Sequence, residues 1–149
     1  MREKITQDLK DAMKAGDRAK VDALRLINAA LKDKDIEARG ASKHLSDDDI
    51  LSLLQKMIKS RQESFDIYVK AGRQELADKE KGEIEVISAY LPQQLTEAET
   101  LDAVQAAIAE VGAASIKDMG KVVAALKAKF TGRMDFSKAS AAVKAALGS

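Results

Sequence analysis

The 149 residues contain a single proline, Pro92, and no other feature constrains the fold more. It lies in the stretch Glu83–Leu95. A proline ring removes one backbone N–H and disfavours helical geometry in the residue before it. A helix must therefore end near Tyr90, and the chain must turn before the next begins. Ile84, Ile87 and Leu91 stand three and four apart, so they can anchor that helix end against both halves. Before Pro92 the chain is long and charge-balanced; after it the chain is shorter and rich in alanine and lysine. Alanine, lysine, glutamate and leucine favour helix. With 8 glycines as the other breakers, few turns are available and long helices are expected.

Seven helices are predicted. The first covers 2–15, with Ile5, Leu9, Ala12 and Met13 as its apolar stripe, Gly16 as its stop and Asp17 as the next cap. The second runs from about Arg18 to Ala38 on Val21, Leu24, Ile27 and Leu31, widened by Leu26 and Ala30. Gly40 stops it, and 41–45 form a loop. Ser46 and Asp49 make a capping box for the third, about 47–71. Its stripe is Ile50, Leu53, Leu54, Met57, Ile58, Phe65, Tyr68 and Val69, with Arg61 inside it. The fourth, from 73 or 74 to about 90, turns Leu76, Ile84, Ile87 and Leu91 inward. Gly82 within it costs about 1 kcal/mol against alanine.

Past Pro92, Thr96 and Glu99 cap a fifth helix over 97–111, with Leu101, Val104 and Ile108 inward. Ser115 and Asp118 cap a sixth over 116–130, built on Met119, Val122 or Val123, Leu126 and Phe130. Asp135 caps a seventh over 136–147, with Phe136, Ala139, Val143 and Leu147 inward. The expected class is all-α: an N-terminal four-helix domain, 1–92, followed by a C-terminal three-helix bundle domain, 93–149.

Composition excludes several chemistries. There is no cysteine and one histidine, His44, so no disulfide, thiolate nucleophile, thiolate zinc site or multi-histidine metal site can form. No cofactor is expected. No apolar run approaches the ~18 residues of a membrane span. The charged start, Met1–Ile5, lacks the apolar stretch of a secretory leader. A cytoplasmic chain is therefore expected. His44, in a polar loop with Ser42 and Ser46, reads as an exposed residue. Glu80, Glu83 and Glu85 have the ordinary spacing of a solvated helix. No nucleophile–base pair and no glycine-rich phosphate loop stand out, and no catalytic residue is assigned.

Charge divides the last third of the chain. Residues 93–114 hold four acids and no base, a net of −4. Residues 115–149 hold seven bases against two acids, a net of +5. Lys117 and Lys121 stand one turn apart, while Arg133 and Lys138 flank the start of the last helix. Side-chain charge and free backbone N–H groups there could take a phosphate. Such lysines are also the ordinary wet face of an amphipathic helix. No aromatic ladder accompanies them, so contact with the backbone of a folded RNA suits better than base stacking. Gly120, early in the sixth helix, leaves room for a close approach, either of a packed helix or of an RNA backbone.

Three groups of residues carry a resemblance. The first is Tyr68, Ala71-Gly72-Arg73, Leu76, Glu80 and Glu83, leading into Tyr90-Leu91-Pro92-Gln93-Gln94-Leu95. The second is Lys117-Asp118-Met119-Gly120-Lys121-Val122 with Gly132-Arg133 and Asp135. The third is Leu24-Arg25 with Ala29-Ala30-Leu31. In order and spacing the chain resembles the YqeY-like proteins of the GatB/YqeY family, over nearly its whole length. The resemblance implies a two-part helical fold akin to the tail of the GatB component of the glutamine-dependent aspartyl/glutamyl-tRNA amidotransferase, a tail that helps hold tRNA. Lys117, Lys121 and Arg133 match its basic positions; Lys138 joins them on charge pattern.

The expected function is a tRNA-associated, non-catalytic helical module. One alternative, implied by the family, is an accessory component of a carbon–nitrogen ligase with glutamine as amido-N-donor, partnered by an amidotransferase. The other is a protein–protein adaptor, suggested by the near-neutral N-terminal half. Neither a membrane nor DNA is expected as partner.

Overall fold

The computed structural model describes residues 1–40 and 44–148. Ala41, Ser42 and Lys43, within the expected loop, lie outside the described residues, as does Ser149. Among the described residues there are seven α-helices and no strand: α1 Arg2–Ala15, α2 Arg18–Gly40, α3 Asp47–Lys70, α4 Gln74–Ser88, α5 Glu97–Val111, α6 Met119–Phe130 and α7 Phe136–Leu147. The all-α expectation holds. The chain divides into two compact units, Met1–Leu91 and Pro92–Ser149.

In the first unit α2 packs against α1, α3 and α4, and α3 pairs with α4. Leu24 and Ile27 of α2, Ile5 of α1, Ile50 and Leu54 of α3 and Ile87 of α4 make one fully buried cluster. Burying an aliphatic side chain of this size contributes about 1.5–3 kcal/mol. The start of α3 is set by the predicted box: Ser46 Oγ accepts from the Asp49 N–H at 3.1 Å, and Asp49 accepts from the Ser46 N–H at 3.0 Å.

Arg61, the charge inside the stripe of α3, ties that helix to α4. Its Nε donates to Glu83 at 2.9 Å and its Nη1 to the Met57 carbonyl at 3.1 Å. Both side chains are largely withdrawn from water, at 16% and 12% exposure. Tyr90 closes the unit by donating its hydroxyl to Asp8 of α1 at 2.5 Å.

The second unit packs α5, α6 and α7 pairwise. Val104, Ala107, Val122, Leu126, Met134, Ala139 and Val143 form its core. The sixth helix is not continuous with its cap: Ile116–Asp118 form a 3₁₀ turn, and α6 proper begins at Met119. Five residues correct the expected stripes. Leu76 is 41% exposed while its neighbour Ala77 is fully buried. Leu101 is 51% exposed, and Ala107 takes the buried seam of α5 beside Val104. Met13, Leu26 and Val69 also face out.

Candidate nucleic-acid interface

Lys117 lies in the 3₁₀ turn and Lys121 in the first turn of α6, and both side chains are exposed. Asp118 stands between them. Its carboxylate accepts the N–H groups of Ala114 at 3.0 Å and Ser115 at 3.4 Å. Those amides hold its pKa below the usual carboxylate range, with Lys121 adding a smaller pull. Gly120 is exposed, and a Cβ built on it meets nothing within 4 Å. The helix-packing alternative for this glycine therefore has no support here. What remains is an open strip of backbone between two cations.

Arg133 and Lys138 sit at the other end of α6. The 12 residues of that helix span about 18 Å, so the four cations form two separate pairs of positions, not one patch. Arg133 follows α6 in the link to α7 and is half-buried. Its Nε donates to the Gln93 carbonyl at 3.0 Å, and its guanidinium carbon lies 5.9 Å from the Phe130 ring centre. A fixed Nε aims the remaining donors of the guanidinium. Its backbone is also tied, since the Leu95 N–H donates to the Arg133 carbonyl at 2.8 Å. The Gln94 side chain donates to the Gly132 carbonyl beside it.

Lys138 is exposed in the first turn of α7. The free amides expected at this helix start are not free. Asp135 accepts from the N–H groups of Ser137 at 2.9 Å and Lys138 at 3.4 Å. A phosphate there would have to be held by side chains.

The other cations of this unit differ in engagement. Lys129 pairs with Glu110 at 2.6 Å. Lys127 lies 6.0 Å from the Phe136 ring centre. Among the described residues Lys117, Lys121, Lys138 and Lys144 have no salt bridge. Acid on the α5 side is partly spent on structure: Glu99 accepts the Thr96 N–H at 3.0 Å, which with the Thr96 hydroxyl lowers its pKa. The strapping of Arg133 and Gly132 by Gln93–Leu95 escaped the sequence reading. Its one trace there was the position of that tripeptide directly after Pro92.

Two of the carboxylates singled out in α4 differ in environment. Glu83 is committed to Arg61, and Glu85 is exposed. His44 is exposed. Among the described residues no group of three or more His, Cys, Asp or Glu side chains could hold a metal ion, and no helix is long and apolar enough to cross a membrane.

The chain is similar to proteins named "Altered inheritance of mitochondria protein 41, mitochondrial". That of Eremothecium gossypii is 37% identical over 87 residues, which are 58% of this chain and 46% of the relative. That of Lachancea thermotolerans is 35% identical over 89 residues, 60% of this chain and 46% of the relative. A Saccharomyces cerevisiae relative is 34% identical over 86 residues, 58% of this chain and 45% of the relative. The match thus spans about half the length of these curated relatives.

Their names correct the cytoplasmic expectation. It rested on the lack of an apolar leader, but organellar targeting segments are basic and amphipathic, so that lack says nothing about a mitochondrial address. The profile of the YqeY-like proteins matches residues 2–147. With helices of the expected order along that span, the chain belongs to the YqeY-like protein family.

Proposed function

We propose that this chain is a non-catalytic, RNA-associated helical module, with tRNA as the RNA. Its first four helices would form one domain, 1–92, and its last three a second, 93–149, that carries the contact. The reading rests above all on the strip Lys117–Gly120–Lys121, where two cations without salt bridges among the described residues flank a helical glycine on which a Cβ would meet nothing within 4 Å. An exposed glycine in a helix is a cost with no structural return, whereas close approach of a sugar–phosphate backbone gives it a use. Arg133, aimed by Gln93, and Lys138 supply a second point of attachment about one short helix away.

Two attachment points at the ends of α6 suit a folded RNA read by shape, because its phosphates are presented at fixed separations. The test is tRNA binding by filter retention or mobility shift across a salt series. Four phosphate contacts give a slope of about −3 in log K against log salt. Absence of binding at 50 mM salt, a condition about as permissive as such assays offer, ends the proposal.

A further inference from the structure

A second cationic feature lies in the N-terminal unit. At the elbow between α1 and α2 the surface opens into a depression of about 490 Å³ lined by Met13, Gly16, Arg18, Val21, Asp22 and Arg25. Gly16, at φ +71°, makes the turn that creates it. Arg18 and Arg25 are seven residues apart on α2 and share one face. Asp22 lies four residues after Arg18 and three before Arg25, the spacings at which helical ion pairs form. Among the described residues it pairs with neither. Arg25 instead rests its Nη2 3.9 Å from the sulfur of Met13, a residue that is 49% exposed. Arg2, by contrast, is bound by Asp35 through two bonds of 2.9 and 2.6 Å.

The helix start offers little of its own here, because Asp17 already accepts the Lys20 N–H at 3.2 Å. What distinguishes the elbow is a concave site with two guanidinium groups that have no carboxylate partner among the described residues. A planar guanidinium matches a phosphate through parallel N–H bonds.

We propose that the α1–α2 elbow is a phosphate-binding notch, in which Arg18 and Arg25 take the oxyanion and Asp22 limits its affinity by repulsion. The phosphate could belong to a small phosphorylated ligand or to an RNA backbone, and the experiment has an arm for each.

In the first arm the full chain is titrated with inorganic phosphate at constant ionic strength, with chloride as control, and the arginine Nε–H signals are followed by NMR. Arg18 and Arg25 are expected to move along one saturating curve while Arg2 stays still. Asp22→Asn should tighten that curve about threefold, from loss of a unit charge roughly 6 Å from the anion in water. Arg25→Gln should weaken the response of Arg18 severalfold. Shifts at Arg18 and Arg25 no larger than at Arg2, or a curve unmoved by Asp22→Asn, overturn the notch.

The second arm assigns the source. An Arg18→Gln/Arg25→Gln chain that loses more than one unit of RNA salt slope places an RNA phosphate in the notch. An unchanged slope in that chain, while the wild-type chain saturates with phosphate, assigns it to a small ligand. Failure of the RNA reading would show separately, as a wild-type chain that saturates with phosphate and binds no RNA.

Discussion

Replacing Gly120 by alanine separates helix stability from recognition, because the two respond with opposite sign. The added methyl meets nothing within 4 Å, and Gly120 lies in α6 without a positive φ, so the substitution introduces neither clash nor backbone strain. Alanine is favoured over glycine within a helix by about 0.5–1 kcal/mol. For a chain of this length that raises the midpoint of thermal unfolding by about 1–4 °C. If a nucleic-acid backbone packs on the Lys117–Lys121 strip, the same methyl intrudes into a tight contact. A cost of about 1 kcal/mol follows, near fivefold in Kd. Circular dichroism melts and a tRNA titration on the same preparation read both quantities. A more stable variant with undiminished RNA affinity would refute the claim that this glycine is there for a ligand. A less stable one would refute the helical, unobstructed geometry from which the magnitude was worked.

Other outcomes follow from the same geometry. Lys117→Gln/Lys121→Gln and, separately, Arg133→Gln/Lys138→Gln should each flatten the RNA salt slope by about 1.5 while leaving the melting curve nearly unmoved. Arg61→Ala strands Glu83 with little water around it and should cost about 2 kcal/mol in denaturant unfolding. Leu76→Ser should change stability by less than about 0.5 kcal/mol, whereas Ala77→Leu should cost about 1–3 by overpacking.

Tyr90→Phe should lose about 1 kcal/mol and return Asp8 toward an ordinary aspartate pKa, measurable by NMR titration. Asp8 is lowered, first by the Tyr90 hydroxyl, so its contribution is complete above the unfolded value near about 4 and disappears as acid protonates it. Tyr90 is raised, first by burial and then by Asp8, so its contribution is complete below about pH 10 and fades as alkali rises past that value.

Helix ends were the most legible part of this sequence. Ser46 with Asp49, Thr96 with Glu99, and Asp135 each use a short polar side chain to satisfy amides that a helix start leaves unpaired. That requirement is local, so it reads directly from spacing. Which apolar residue is buried was less legible. At Leu76 and Ala77, and at Leu101 and Ala107, the position of close helix contact goes to alanine and the larger leucine is pushed to the rim. Hydropathy favours the leucine, and alanine is too common in this chain to mark a seam. Met134 is buried although it lies between helices, where a periodic pattern has no reach.

The cations Lys117, Lys121, Arg133 and Lys138 were visible as charge but not as a layout. Only the length of α6 separates them into two positions. Arg25 stood out in the sequence only within the Leu24-Arg25 pair, and its pairing with Arg18 in one concave site was invisible until the turn at Gly16 was placed.

The tripeptide Gln93–Leu95 precedes α5 and belongs to no helix, yet it laces the α6–α7 link through Arg133 and Gly132. A fragment trimmed to start at Thr96 would keep all three rods and both capping carboxylates of α5 and α7. It would also let the guanidinium of Arg133 swing loose from its carbonyl mooring. Such a truncation should fold and yet grip its partner poorly at that end, so the usable minimal piece begins at the proline and not at the first helical turn.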